Sequence, residues 1–200
     1  MTLRAGFLAS GAGTTFEAVV EACRSGTLDL DPAILICNNA KAGAFDRAAC
    51  LAVPSRHISA KSAGGDDAAD AAICGALQDA GVDLVVLVGY LKKIGPKTLA
   101  AYRGRIVNTH PALLPKHGGA GMYGINVHAA VLAAGESETG VSVHIVDAEY
   151  DQGPVLAQAR VPVEPGDTPE ALSARVQARE KPFLIETLQR IAAGELELPA

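Results

Sequence analysis

The sequence predicts an α/β protein with a doubly wound, mostly parallel sheet and helices on both faces. Apolar, strand-like runs alternate with segments of helical spacing over residues 3–109. Leu84-Val85-Val86-Leu87-Val88 is apolar at every position, as expected of a strand that is covered on both sides. A glycine-rich turn also joins the first strand to the first helix, as is typical of this fold class.

The first strand is predicted over residues 3–9. It is followed by a helix whose apolar side chains recur at helical spacing at Phe16, Val19, Val20 and Cys23. Thr14 and Glu17 fit the S/T-x-x-E pattern of a capping box. Thr14 is therefore expected to be the N-cap of this helix.

The turn Ser10-Gly11-Ala12-Gly13 could hold an anion, because glycines allow close backbone approach and the following helix presents its positive end. A turn that binds nothing could carry the same glycines, so both interpretations stay open. A dinucleotide site is disfavoured, because G-x-G-x-x-G requires glycine where Phe16 stands, and Asn38 rather than an acid follows the second strand. If the turn binds a ligand, a single phosphate is the better candidate.

The middle of the chain continues the alternation. Strands are predicted over residues 33–37, 55–58 and 84–88, and helices over residues 44–50 and 66–80, with a small-residue loop at 61–65. Later in the chain, the patterns predict a helix at 127–134, strands at 141–146 and 155–163, and a long helix at 168–193. Pro182 is expected to kink or split that last helix.

Asn108 and His110 follow the short apolar run Arg105-Ile106-Val107. Strand side chains alternate, so the amide and the imidazole are expected on one face, where they could act on one small group. Pro111 and Pro115 make the exit from this strand stiff. The tripeptide Asn-x-His taken alone would equally suit a hydrogen-bonded structural pair.

Four glycines lie within residues 116–124, which predicts a mobile lid beside the Asn108–His110 pair or a plain surface loop.

His144 shares a strand face with Ser142, and it could line the site or be a satisfied structural residue. Residues 147–154 form an acidic turn with three carboxylates. Most acids in such turns are only solvated.

The composition narrows the class of protein. A net charge of −5 gives no field that would concentrate nucleic acid, and no apolar stretch reaches the ~18 residues of a membrane helix, so neither partner is expected. With no signal peptide visible, a cytoplasmic location is expected. The four cysteines never approach C-x-x-C spacing, which predicts buried, reduced thiols and no metal site.

Five stretches resemble, in order, motifs of the folate-dependent formyltransferases. They are residues 10–15, 89–94, 108–115, 139–144 and 150–154. The third is the most specific, since Asn108-Thr109-His110-Pro111-Ala112-Leu113-Leu114-Pro115 is similar to the family signature Asn-x-His-Pro-Ser-Leu-Leu-Pro, with Ala112 in place of serine. The resemblance spans nearly the whole chain and implies the formyltransferase fold.

The resemblance implies transfer of the formyl group of 10-formyltetrahydrofolate to the amine of glycinamide ribonucleotide, in de novo purine synthesis. Asn108 and His110 would stabilise the oxyanion, and Asp151 would support the histidine. The matching ribotide contacts are Gly13, Thr14, Thr15, Gln177 and Glu180, and the matching folate contacts are Leu91, Lys92, Lys93, Ile94 and Asn108. The folate contacts would be made largely through backbone groups. No metal or covalent nucleophile is implied.

Two further residues depart from the family pattern. Thr15 replaces an asparagine, which keeps a donor but shortens its reach, and Asp66 stands where some members carry an arginine, so recognition of the folate's glutamate tail is left open. Other formyltransferases or a formyl-folate hydrolase are alternatives, although the chain has no room for the extra domain expected of them. A non-catalytic nucleotide-binding module is the alternative from another class.

One domain is expected over residues 1–200. Residues 1–107 would form the phosphate-binding half, and residues 108–200 the catalytic and folate-binding half. The expected partners are the two small substrates, and the protein could be a monomer or a homodimer.

Overall fold

The computed structural model describes residues 2–199. Its strands are β1 (Leu3–Ala9), β2 (Leu30–Cys37), β3 (Ser55–His57), β4 (Leu84–Leu87), β5 (Ile106–His110), β6 (Glu138–Ile145) and β7 (Val155–Pro162). Its helices are α1 (Thr14–Arg24), α2 (Ala44–Cys50), α3 (Ala60–Ala63), α4 (Asp66–Asp79), α5 (Pro96–Ala101), α6 (Ile125–Ala133) and α7 (Pro169–Ala192).

All seven strands form one sheet in the order β3-β2-β1-β4-β5-β6-β7. The pairs from β3 to β5 are parallel, while β6 pairs antiparallel with both β5 and β7. The chain first builds outward from β1 to β3 and then returns to the other side of β1. Ligands of such sheets bind beyond the carboxyl ends of the strands near this reversal. The predicted doubly wound, mostly parallel sheet is confirmed.

The sheet separates two apolar cores. One core contains Phe7 and Phe16, which meet edge to face at 5.2 Å between ring centroids, and side chains from α1 and α7. The other contains Ile73 of α4 and Ile106 of β5. The placement of helices on both faces follows from this division, because each strand buries alternate side chains in opposite cores.

The prediction of Thr14 as an N-cap is wrong. Gly13 is the N-cap of α1, with a φ of +78°, and Thr14 is the first helical residue. A side-chain cap needs extended backbone, whereas this turn needs the left-handed conformation that glycine adopts readily. A Cβ on Gly13 would also lie 2.7 Å from the Cα of Ala44, at the start of α2.

Residues 61–65 are not the loop that was predicted, because they include most of α3. Ser59 caps this helix and forms a capping box with Ser62. The four-residue helix is too short to show a periodic pattern.

Pro182 lies inside α7 and does not split it. Burial of residues on both sides of it, such as Val176 and Leu184, outweighs the ~3 kcal/mol cost of an internal proline.

The sequence gives no periodic signal for α5, whose first turn is capped by a residue from α4. The buried carboxylate of Asp70 accepts hydrogen bonds from the backbone N–H of Lys97 at 2.8 Å and of Thr98 at 3.0 Å, and from the Thr98 hydroxyl at 2.6 Å. The cap fixes the end of the segment that leads from β4 past residues 89–94. That turn includes the predicted folate contacts at residues 91–94.

Gly95→Ala is expected to destabilise the fold by about 1–3 kcal/mol, because the new Cβ would lie 2.2 Å from the Cγ of Asp70. The melting temperature should fall by about 2–4 °C for each kcal/mol in a chain of this length. Gly75→Ala is the matched control in α4, where a Cβ has open space and should stabilise the helix by ~0.5–1 kcal/mol. Equal melting temperatures for the two variants would contradict the proposed role of Asp70.

All four cysteines are free thiols. The expectation of burial holds only for Cys37, since Cys50 is exposed and Cys23 and Cys74 are partly exposed. Cys23 packs against the edge of a core, whereas Cys50 is the last residue of α2 and lies at the surface. Burial still raises the pKa of Cys23 to about 11.

Across residues 2–199, no helix combines the length and apolar character needed to cross a membrane.

Candidate active site

The site is built around β5, whose two faces carry different groups. Ile106 packs in the core with α4, and Val107 packs in the core with α7. Because side chains alternate along a strand, Asn108 and His110 continue the face of Ile106, while Thr109 continues the other face. The predicted shared face of the amide and the imidazole follows from this strand.

Asn108 is paired across the sheet with His144 on β6. The Nδ2 atom of Asn108 lies 3.2 Å from the Nε2 atom of His144, and the Nδ1 atom of His144 lies 3.0 Å from the carbonyl oxygen of Ile145. The carbonyl can only accept, so Nδ1 carries the proton and Nε2 accepts from the amide. His144, for which two roles were open, thus lies in direct contact with the predicted catalytic asparagine.

The charge state of His144 supports this assignment. Burial lowers the pKa of His144, although the Ile145 carbonyl and the Asp151 carboxylate act in the opposite direction. His144 is therefore neutral at neutral pH, and one Asn108 N–H is directed toward it. The second N–H of the amide can be directed toward a substrate.

Asp151 lies between the two histidines. Its Oδ2 atom is 3.4 Å from the Nδ1 atom of His110, and its Oδ1 atom is 3.5 Å from the Nε2 atom of His144. Oδ2 also accepts a hydrogen bond of 2.9 Å from the backbone N–H of Gly119. The acidic turn therefore brings this carboxylate into the site, as the sequence predicted.

His110 is only 3% exposed, and both of its ring nitrogens face oxygen atoms. Nδ1 faces Asp151, while Nε2 lies 2.8 Å from the carbonyl oxygen of His117. Only the protonated ring can donate to both acceptors. This arrangement holds the ring firmly, but it leaves neither nitrogen free for a substrate in the described conformation.

A cavity of about 70 Å³ opens at the carboxyl ends of β4 and β5. Asn108, His144 and Asp151 line it, whereas His110 lies behind them. It shares five lining residues with a larger cavity of about 1220 Å³, namely Tyr90, Lys92, Lys93, Ile94 and Glu149. Burial raises the pKa of the shared Tyr90 to about 12, so its hydroxyl remains a donor.

The predicted folate contacts form the turn that follows β4. The backbone N–H of Leu91 donates to the hydroxyl of Ser10 at 2.9 Å, and the Ser10 N–H donates to the Gly89 carbonyl at 3.0 Å. Ile94 is buried, whereas the Leu91 side chain is 71% exposed. Hydrogen bonds thus connect this turn to the residue that begins the predicted phosphate turn.

Two residues of α2 donate hydrogen bonds to the predicted phosphate turn. The N–H of Ala44 donates to the Gly11 carbonyl at 3.2 Å, and the Nε atom of Arg47 donates to the Ala12 carbonyl at 2.9 Å. Thr14 and Thr15 begin α1 on top of this support. The first amides of a helix have no intrahelical acceptor, so they can bind an anion.

The two predicted ribotide contacts on α7 differ in their surroundings. The Oε1 atom of Glu180 accepts a hydrogen bond of 2.7 Å from the Thr109 hydroxyl, on the opposite face of β5 from Asn108. Gln177 is exposed, and its Nε2 atom donates to Ser173 one turn earlier at 3.2 Å. Glu180 is therefore connected to β5 directly, whereas Gln177 is not.

Sequence reasoning missed four contributors to the site. They are Ser10, Thr109, His117 and Gly119. Ser10 and Thr109 could have been found from their positions at strand ends beside predicted site residues. His117 and Gly119 act through backbone atoms, and no side-chain pattern indicates such contacts.

The family model described as "Formyl transferase" matches residues 3–188, which is most of the chain. The chain belongs to the formyl transferase family. Among curated members, it is 39% identical over 189 residues to "Phosphoribosylglycinamide formyltransferase, chloroplastic" of Arabidopsis thaliana, covering 94% of this chain and 65% of the relative. It is 35% identical to "Phosphoribosylglycinamide formyltransferase" of Haemophilus influenzae, covering 96% of this chain and 88% of the relative.

Solved structures of the formyl transferase family agree with this assignment. Glycinamide ribonucleotide transformylase 1 from Symbiobacterium toebii has a TM-score of 0.91 and 36% identity, with 100% of this chain and 92% of that chain covered. A formyltetrahydrofolate deformylase from Pseudomonas syringae has a TM-score of 0.88 at 22% identity, with 100% of this chain and 64% of that chain covered. That second similarity shows a shared fold only.

Proposed function

We propose that the protein transfers the formyl group of 10-formyltetrahydrofolate to the amine of glycinamide ribonucleotide. One observation carries the proposal. Asn108, His144 and Asp151 line one small cavity at the strand ends, and His110 is held against Asp151 behind them. The names of the relatives at 35–39% identity support the same reaction.

The ribotide is proposed to bind on the side of α1 and α7. These helices contact each other, and the proposed phosphate ligands Gly13, Thr14 and Thr15 lie at the start of α1. Glu180 and Gln177 of α7 would contact the rest of the ribotide. The bond from Thr109 holds Glu180 beside β5, on the opposite face from Asn108, so the substrate amine would pass the carboxyl end of β5 to reach the cavity.

The folate is proposed to bind on the other side, against residues 91–94. The cavity of about 70 Å³ would receive the reacting end of this co-substrate, and the larger cavity has room for the remainder. Leu91, Lys92, Lys93 and Ile94 would contact it largely through backbone groups. The residues present therefore fit a formyl-folate.

When bound, 10-formyltetrahydrofolate supplies an activated formyl group. The ribotide nitrogen forms a bond to the formyl carbon, the bond from that carbon to the folate nitrogen breaks, and the proton lost by the amine balances the one gained by the folate. The free N–H of Asn108 is proposed to donate to the formyl oxygen, where negative charge develops. One well-placed donor contributes about 10²–10³ in rate.

His110 and Asp151 are proposed to form the proton-handling pair. The Asp151 carboxylate faces the Nδ1 atom of His110 at 3.4 Å and would orient the imidazole ring. For His110 itself to donate to the oxyanion, its Nε2 atom would have to leave the His117 carbonyl. The oxyanion roles of His110 and Asn108 both stay predictions. The role of His110 requires this movement, and the role of Asn108 requires none.

An assay that follows folate release spectroscopically tests the proposed function. The protein is mixed with 10-formyltetrahydrofolate, with and without glycinamide ribonucleotide. Release that requires the ribotide and yields formylated ribotide is the expected result. Equal release without the ribotide would instead identify a hydrolase, and ribotide binding without any release would identify a non-catalytic module.

Thr15→Val should weaken ribotide binding by about tenfold or more, because a hydrogen bond to a charged group is worth ~1.5–3 kcal/mol. Thr15→Asn restores the longer donor of other family members and should bind the ribotide at least as tightly as the parent. Calorimetry on both variants, with folate affinity as the control, measures this. Substitution of Gly13 is a poorer test, because a Cβ there would collide with Ala44. Unchanged affinity in Thr15→Val would remove Thr15 from the site.

Several expectations from the sequence stay predictions. They include the two functional halves, the cytoplasmic location and the choice between monomer and homodimer, and the plant relatives are named chloroplastic. Asp66 lines the larger cavity together with Lys61 and Lys92, so how a glutamate tail would be held there is left open. Across residues 2–199, no group of three metal-ligating side chains is arranged to hold an ion.

A further inference from the structure

Residues 116–119 are attached to the rest of the protein at both their side chains and their backbone. The His117 carbonyl contacts the Nε2 atom of His110, and the Gly119 N–H donates to Asp151. The side chains of Lys116 and His117 both point to Glu136, which lies between α6 and β6. This short segment therefore connects Glu136 to the two groups proposed to handle the proton.

The two side-chain contacts with Glu136 differ in their exposure. Lys116 Nζ lies 2.9 and 3.0 Å from the carboxylate oxygens of Glu136, but the lysine side chain is 67% exposed. His117 Nε2 lies 3.4 Å from Oε1 of Glu136, and the histidine side chain is only 16% exposed. Exposed ion pairs contribute little to structure, so the shielded contact with His117 is the one that can fix the segment.

The preceding residues are held by other groups. The Ser142 hydroxyl donates to the Ala112 carbonyl and accepts from the Leu114 N–H, and Gln158 donates to the Leu114 carbonyl. These bonds end at Leu114. Between Leu114 and the bond of Gly119 to Asp151, the side chains of Lys116 and His117 are held by Glu136.

The backbone of His117 needs such an anchor. Its φ is +55°, in the left-handed region that a non-glycine residue adopts at a cost. In this conformation its carbonyl oxygen reaches to 2.8 Å from Nε2 of His110. If the side chain were released, the backbone could relax and withdraw the carbonyl from the ring.

We infer that Glu136 is a positioning residue, which holds His117 so that its carbonyl fixes the ring orientation and the Nε2 proton of His110. A ring nitrogen that faces a carbonyl must carry a proton. The other nitrogen then remains directed at Asp151. The expected effect on turnover rests on the proposed function, and within it on the proton-handling role of His110 with Asp151, in which Nε2 stays on the His117 carbonyl; the effect on the His110 ring does not.

The experiment compares Glu136→Ala and Glu136→Gln with the parent. Nitrogen-15 NMR of the histidine rings, in the absence of substrates, reports which His110 nitrogen carries a proton, and the five histidines can be assigned by single substitutions. In Glu136→Ala, the Nε2 signal of His110 should shift or broaden, and kcat should fall about tenfold with both KM values within about threefold. Glu136→Gln keeps an acceptor oxygen, so its His110 Nε2 signal and its kcat should both lie close to those of the parent.

Glu138→Gln is the matched control. Glu138 lies two residues away from Glu136 and forms an exposed ion pair with Arg160 rather than with a histidine. The His110 signals and kcat should therefore not change. His117→Asn is the second variant, because asparagine tolerates the left-handed backbone but loses the contact with Glu136. It should reproduce the Glu136→Ala spectrum, and it serves if Glu136→Ala does not fold.

Unchanged His110 ring signals in a folded Glu136→Ala or His117→Asn protein would overturn the inference, whatever the activity. Shifted signals with unchanged kcat would also overturn it, since the ring would then need no fixing. If the ring signals shift as expected in the variants but the parent protein fails to transfer the formyl group, the proposed function is contradicted instead. The ring spectrum thus separates the two proposals.

Discussion

Asn108→Ala is expected to lower kcat by about 10²–10³, the largest effect of any substitution considered for this site. The amide of Asn108 makes one bond to His144, and its second N–H is available to a substrate in the cavity that Asn108 lines. That donor is needed mainly when charge develops on the formyl oxygen. Its loss should therefore affect turnover far more than the binding of either substrate.

Steady-state kinetics, with separate calorimetry for each substrate, measure the effect of this change. Asn108→Ser keeps a shorter donor and should recover part of the rate. Thr109→Val, the next residue but on the opposite face of β5, loses the bond to Glu180 and should change the ribotide KM more than kcat. A kcat within a few fold of the parent in Asn108→Ala would remove the asparagine from the catalytic group.

Asp151→Asn is expected to lower kcat and kcat/KM together, by ~10²-fold or more. Asparagine is nearly isosteric, can still accept from the Gly119 N–H, and tolerates the φ of +57° at this position. The fold and both binding sites should therefore be preserved. What is lost is the negative charge that faces the Nδ1 atom of His110 and the Nε2 atom of His144.

The other two acids of the same turn provide the controls for Asp151→Asn. Asp147 accepts a hydrogen bond from the backbone N–H of Glu149, a contact that asparagine can also make. Asp147→Asn and Glu149→Gln should keep kcat within about tenfold of the parent. An equal loss in all three variants would show that the turn acts through its total charge, and an active Asp151→Asn enzyme would show that the aspartate was wrongly assigned.

The strands could be predicted because their signals are local. Runs such as residues 84–88 are apolar at every position, and only a central strand buries both faces in this way. The short helix α5 could not be predicted, since its cap is Asp70, which is 27 residues away from Lys97 along the chain. The continuity of α7 through Pro182 likewise depends on packing that no local rule describes.

The proximity of the candidate site residues could be predicted where side chains make the contacts, while their roles stay predictions. Asn108, His110 and Asp151 were identified from a signature and a turn, and they do lie together. The partner of His110 Nε2 is a backbone carbonyl, and any residue at position 117 could supply one. The left-handed backbone of Gly13 and its closeness to Ala44 were also not predicted, because both depend on how the turn packs against α2 in the folded protein.

We expect the bond from Leu91 to Ser10 to couple the binding of the two substrates. It connects the turn proposed for the folate to the first residue of the turn proposed for the phosphate, within a single hydrogen bond of 2.9 Å. A shift of either turn upon binding would be passed to the other. Linkage is reciprocal, so whatever factor the ribotide imposes on folate affinity, the folate must impose on ribotide affinity. Ser10→Ala would then reduce both factors equally, while each substrate alone would still bind.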